Sequence, residues 1–327
     1  MKKIAVFVPH RAQFGNITTQ LPLFCALKTR FPKSEITVFT KSNNSNLFLN
    51  CNLVNKVINY KEWSTVKLVF EFNKCHFDSV FNIYSGSERI HLVCMLSNVK
   101  NKFSFSSLGF IKWFNNYQVF LDSKKGKQYI ANNNLELANV ALGTDYDTRV
   151  IGMLGIEALE LNKKETLTIV PCGGAGAFKI WPLEHFLSAV KKIVLDNECI
   201  KKICVVLGPQ ESDKQQQIER ELEGMNLDIR VSPKISDLVD IAKQSRLVIS
   251  NDCGPCHIFQ MMKSPMLMIW GWTHCPKTPK SPYHVLTEWY HCYDDSWCVF
   301  PAEDQKDIAS IPVERVVSVA NMQLTRS

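Results

Sequence analysis

Short apolar runs alternate with amphipathic stretches along the whole chain, and this alternation constrains the fold most. Residues 3–8 read as a buried strand that stops at Pro9, His10 and Arg11. Residues 19–31 follow as a helix, with Leu23, Leu27 and Phe31 at helical spacing. Further strands are expected at residues 35–40, 54–58 and 79–84, with helical stretches between and after them. Strand, helix and strand in succession imply right-handed crossovers and a parallel sheet. Residues 122–165 are polar, helical in tendency and poor in strand signal, so they are expected to close the first domain and carry the linker.

The alternation then restarts. Strands are expected at 166–171, 202–207, 247–250 and 265–270. Helices are expected at 182–195, 212–222, 235–244 and 255–262, with a helical tail at 311–322. In the first of these helices Pro182 suits the opening turn, and Leu183, Phe186, Leu187, Val190 and Val194 line one face. With 327 residues, 46% hydrophobic and 21% charged, the chain can form a packed core in each half. The expectation is therefore α/β: two doubly wound, Rossmann-like domains, residues 1–160 and 161–327. Such domains bind ligands outside the carboxyl ends of their strands, where the strand order reverses, and two in tandem are expected to face each other across a central cleft.

Composition narrows the partners. The first apolar run, from Ile4 to Val8, is too short for a secretory segment, and no stretch approaches the ~20 apolar residues needed to span a bilayer. A cytoplasmic location is expected. The net charge of +7 suggests an anionic partner, and no dense Lys/Arg run points to nucleic acid. In residues 100–127, Lys102, Lys112, Lys124 and Lys125 lie among Phe103, Phe105, Phe110, Trp113, Phe114 and Tyr117. That interleaving fits either a solvated face over ordinary core or a surface for anionic glycolipid on the inner membrane. The 12 cysteines of a cytosolic chain are expected to be reduced and mostly buried.

Two segments carry the chemistry of the second half. Residues 171–182 join a strand end to a helix start and contain Gly173, Gly174, Ala175 and Lys179. Glycines let the backbone approach a ligand closely, the helix start offers free N–H groups, and Lys179 adds a full charge, so the segment suits a diphosphate. It is neither a P-loop nor a dinucleotide fingerprint. Residues 250–257 repeat the strand-to-helix placement with Asn251, Asp252, Cys253, Gly254 and His257. The same stretch has the spacing of a thioredoxin redox pair at Cys253 and Cys256, and of a haem attachment site through His257. Haem attachment needs export, and a thioredoxin motif belongs near the start of its domain. A wider group, Cys253, Cys256, His257, His274, Cys275, His291, Cys292 and Cys298, could supply a structural zinc site, but its spacings match no compact zinc pattern.

Taken in order, these segments resemble glycosyltransferase family 9, the lipopolysaccharide heptosyltransferases. Phe14 to Pro22 is similar to the family's G-D-x-x-x-T-x-P loop, and Phe31 to Thr37 to its yP-x-a-x-I-t stretch. Lys179-Ile180-Trp181-Pro182-Leu183-Glu184-His185-Phe186 is similar to K-x-W-P-x-E-x-F. Leu207 to Glu211, with Gln210 and Glu211, fits the following loop, and Ser250 to His257 resembles S-N-D-S/T-G-x-M-H. The resemblance implies a GT-B fold, an anionic glycolipid acceptor on the first domain and a nucleotide-sugar such as ADP-heptose on the second. It also implies inverting transfer with no cofactor and no obligatory metal. Where the family has an aspartate as general base, this chain has Asn16, and an amide cannot take a proton at neutral pH. His10, ending the first strand, is the nearest substitute, since imidazole is the usual proton acceptor near neutrality. A catalytically silent relative is the rival expectation. From a different class, a thiol-redox or metal-binding protein would rest on the cysteines.

Overall fold

The computed structural model describes residues 2–326 except 12, 43–45, 85, 107–115, 123–126, 157–163, 174–175, 272–282 and 292. The chain forms two compact units, Met1–Val150 and Ile151–Ser327. Among the described residues, no helix is long and apolar enough to cross a membrane.

The first unit is built on β1 (Lys3–Phe7), β2 (Glu35–Thr40), β3 (Lys56–Asn59), β4 (Ser79–Asn82), β5 (Asn101–Phe105) and β6 (Val119–Leu121). They form one parallel sheet in the order β3-β2-β1-β4-β5-β6. The second unit holds β7 (Thr166–Val170), β8 (Lys202–Leu207), β9 (Leu227–Val231), β10 (Ser245–Asn251), β11 (Met266–Ile269) and β12 (Ser296–Val299). Its sheet is also parallel, in the order β12-β11-β10-β7-β8-β9. Each sheet therefore starts at its centre, winds out to one side, then returns and winds out to the other. That is the doubly wound Rossmann order. The strand order reverses between β1 and β4 in one unit and between β7 and β10 in the other.

The central strands are buried on both faces, β7 at all of its residues and β1 at all but the first, which is why they read as mainly apolar runs. The helix Leu183–Asp196 buries Leu183, Phe186, Leu187 and Val190 in the core of the second unit, as its spacing predicts, and adds Ala189 and Ile193, while Val194 is only partly buried.

The structure departs from the sequence expectation where polarity disguises a strand. Residues 100–127 contribute β5 and β6 rather than a continuous surface. Lys102 lies on β5 and is buried, and its ammonium donates to the carbonyls of Ser97 and Met95. Lys112, Trp113, Phe114, Lys124 and Lys125 lie outside the described residues. The edge strand β9 is equally disguised, because Asp228 and Arg230 alternate with its apolar residues and pair with each other. The helix expected from residue 19 begins at Leu21, after a shorter helix, Phe14–Thr18, and a turn.

Candidate functional site

In the second unit the backbone leaves β7 and β10 side by side, since Val170 pairs with Ser250. The two segments singled out in the sequence therefore meet at the point where the strand order reverses. Asn251 ties them together. Its Oδ1 accepts from the Trp181 N–H at 3.1 Å and its Nδ2 donates to the Cys172 carbonyl at 3.3 Å. Beside this tie the Lys179 ammonium forms an ion pair with the Asp252 carboxylate, side chains 24% and 10% exposed, so the pair borders solvent. Gly174 and Ala175 lie outside the described residues.

Two more loops pack into the same corner. After β8, the Gly208 N–H donates to the Cys172 sulfur, whose own S–H reaches the Val206 carbonyl. Gln210 is exposed on the short helix that follows, whereas Glu211 folds inward and is buried. After β11 comes Gly271, where a Cβ would collide with the Phe178 carbonyl oxygen. Gly173 is constrained too, because a Cβ there would strike Ile180. At Gly271 backbone approaches backbone, which requires glycine, whereas at Gly173 the space is taken by the Ile180 side chain. Neither the bridging role of Cys172 nor the approach of Gly271 has a signature in the sequence, since both partners are distant along the chain.

His257 is 3% exposed and sits in the first turn after Gly254 and Pro255. The Gln260 amide reaches its Nδ1 at 3.3 Å, and the Trp289 ring lies 5.8 Å from its own. Burial pulls His257 down to about 4, with Lys179 acting the same way and Asp252 opposing. In the unfolded chain the imidazole titrates near 6.5. Between these values the unfolded state holds a proton that the folded state refuses, so stability is full above about 6.5 and falls as the pH drops toward about 4. The interval corresponds to roughly 3 kcal/mol. Urea unfolding of wild type and His257→Gln across that range should show a shallower pH dependence in the variant. Equal slopes would remove His257 as the source.

Cys253 and Cys256 are free, buried thiols, and burial pushes Cys256 well up. Redox exchange needs an accessible thiol of lowered pKa, so the pair gives the thiol-redox expectation no support. Of the wider Cys/His group, His274, Cys275 and Cys292 lie outside the described residues.

In the first unit, His10 follows β1 and is exposed, its ring edge-on to Tyr84 after β4 with centroids 5.2 Å apart. Close by is a cavity of ≈ 150 Å³ at the reversal of this sheet, bordered by Pro9, Arg11, Asn16, Gln20, Tyr84 and Asn134, among others. Gln20 is buried, and its Nε2 donates to the Asn16 carbonyl at 2.8 Å. Its Oε1 has no hydrogen-bond partner among the described residues.

Residues 115–296, more than half of the chain, match glycosyltransferase family 9 (heptosyltransferase). Comparison with curated proteins finds no match. Among solved structures, the chain resembles a glycosyl transferase family 9 protein from Veillonella parvula, with a TM-score of 0.63 and 18% identity over 100% of this chain and 98% of that one. It resembles E. coli heptosyltransferase WaaC, solved with ADP-2-deoxy-2-fluoro heptose, with a TM-score of 0.64 and 15% identity over 97% and 99% of the two chains. For E. coli ADP-heptose lps heptosyltransferase II the values are 0.61 and 14%, over 100% and 99%. At these identities the likeness speaks for the fold alone: two Rossmann-like domains of the GT-B type.

Proposed function

From the premise that this chain belongs to glycosyltransferase family 9, the heptosyltransferase family, we propose that it moves a heptose from ADP-heptose to a lipopolysaccharide-type acceptor, with inversion and without a required metal. The observation that carries the reading is the Lys179–Asp252 pair at the strand-order reversal of the second unit, bordered by Gly173, Gly254 and His257. In this reading a diphosphate meets the Lys179 ammonium and the backbone N–H groups of two loop ends, while Asp252 and Gln210 contact sugar or nucleotide hydroxyls. Cys253 stands where the family has a small hydroxyl residue, and Glu211 supports the loop after β8 from inside. The acceptor belongs to the first unit. Its cavity is lined by amide side chains suited to sugar hydroxyls, and the Gln20 Oε1, which has no hydrogen-bond partner among the described residues, can accept from one.

The test is a panel of nucleotide-sugars, read by thermal unfolding of the full chain. A ligand at 100 times its Kd stabilises the folded state by about 2.7 kcal/mol. ADP-heptose should give the largest shift. In Lys179→Ala its binding should weaken by about 1.5–3 kcal/mol, because a charge-assisted bond is lost and Asp252 is left facing the anion. No shift with any nucleotide-sugar, or unchanged affinity in Lys179→Ala, would sink the assignment.

A further inference from the structure

Asp252, Cys256 and His257 place a carboxylate oxygen, a sulfur and an imidazole nitrogen within 4.8 Å of one another. From this cluster we infer that the loop after β10 is a binding site for a borderline-soft divalent cation, zinc foremost. Nothing in the proposed transfer requires such an ion. Mixed sulfur, nitrogen and oxygen donors select zinc-like ions, whereas magnesium and calcium take oxygen ligands throughout.

The three side chains are already oriented. Cys256 and His257 are adjacent in the first turn of the helix Cys256–Met261, and the backbone before them is pinned by bonds from the His257 N–H to the Gly254 carbonyl and from the Ile258 N–H to that of Pro255. One turn on, the Gln260 amide contacts both the Cys256 sulfur at 3.4 Å and His257 Nδ1 at 3.3 Å. Gln260 is itself held by the His291 N–H at 2.7 Å. The amide nitrogen of Gln260 faces the sulfur and Nδ1, so it holds both side chains in the rotamers that bring their donor atoms together, and the ion displaces it from the lone pairs that it binds. Cys256 and His257 are closed off from solvent, while Asp252 is partly open and pairs with Lys179. The ion therefore enters from the side of Asp252 and takes the place of the Lys179 ammonium. As the metal–sulfur bond forms, the Cys256 thiol releases its proton to solvent, and water completes the coordination.

The experiment measures zinc affinity of the full chain by competition with a chromogenic chelator, and cobalt binding by absorption. Neither needs a nucleotide, so failure here leaves the donor assignment standing. Wild type should bind one zinc ion per chain. Cys256→Ser and His257→Gln should weaken binding by more than roughly tenfold. Lys179→Met should tighten it, an outcome that misfolding cannot mimic. Bound cobalt should show the charge-transfer absorption of a metal thiolate in wild type and Lys179→Met. Equal affinity in wild type and Cys256→Ser, no gain in Lys179→Met, or cobalt bound without thiolate absorption would each overturn the site.

Discussion

Replacing His10 by alanine is expected to slow sugar transfer by roughly 10²–10⁴-fold, the usual worth of a general base. In the proposed inverting reaction the acceptor hydroxyl loses its proton as its bond to the sugar forms. Asn16 borders the cavity of the first unit, but its amide can only orient that hydroxyl. His10 leaves the same strand end, is exposed, and has its ring set by Tyr84. The check is nucleotide release with one accepted donor and acceptor, for wild type, His10→Ala and Asn16→Asp. If His10 is the base, Asn16→Asp changes little. If wild type is inactive and Asn16→Asp creates activity, the chain is a silenced relative that still binds ligands. Full activity in His10→Ala removes the histidine from the mechanism.

Trp181→Ala is expected to destabilise the second unit by roughly 3–5 kcal/mol, the range for emptying a large aromatic site. The ring is wholly buried and packs edge-on against Phe186, centroids 5.0 Å apart. Its Nε1 donates to the Ile311 carbonyl at 3.0 Å, so truncation also strands a buried acceptor. Trp181→Phe keeps most of the volume and should lose much less, which separates the cavity from the hydrogen bond. Urea unfolding of the full chain provides the measurement, followed at the transition of the second unit. A loss under about 1 kcal/mol in Trp181→Ala would mean that the site collapses around the missing ring. Because Trp181 follows Lys179 and donates its backbone N–H to Asn251, the alanine variant should also loosen the proposed donor loop.

Much of the architecture was legible in the sequence. The central strands β1, β2, β7, β8 and β10 stand out because they are almost wholly buried, so each is rich in apolar and β-branched residues and short enough to be told from a helix. The strands that escaped, β5, β6, β9 and β12, carry charge or are short, and their pairing depends on neighbours distant in sequence. Lys102 shows the difficulty: a lysine in an aromatic run looks like a basic surface until the Ser97 and Met95 carbonyls are placed around its ammonium.

The candidate site divides in the same way. Residue order alone determined that two glycine-containing loops follow two buried strands, that one bears Lys179 and the other Asp252 and His257, and that position 16 is an amide. Those are local properties, set by side-chain chemistry and by strand-to-helix periodicity. Only the tertiary structure decided which of these groups meet. Parallel pairing of β7 with β10 brings Lys179 onto Asp252 and spends both ends of the Asn251 amide on joining the two loops. It also turns Cys172 into a link to the loop after β8, and collects Asp252, Cys256 and His257 into one donor cluster. Each of these contacts joins parts of the chain, or rotamers within one turn, that periodicity leaves free. Burial and hydrogen-bond satisfaction select among them only once the sheet has closed.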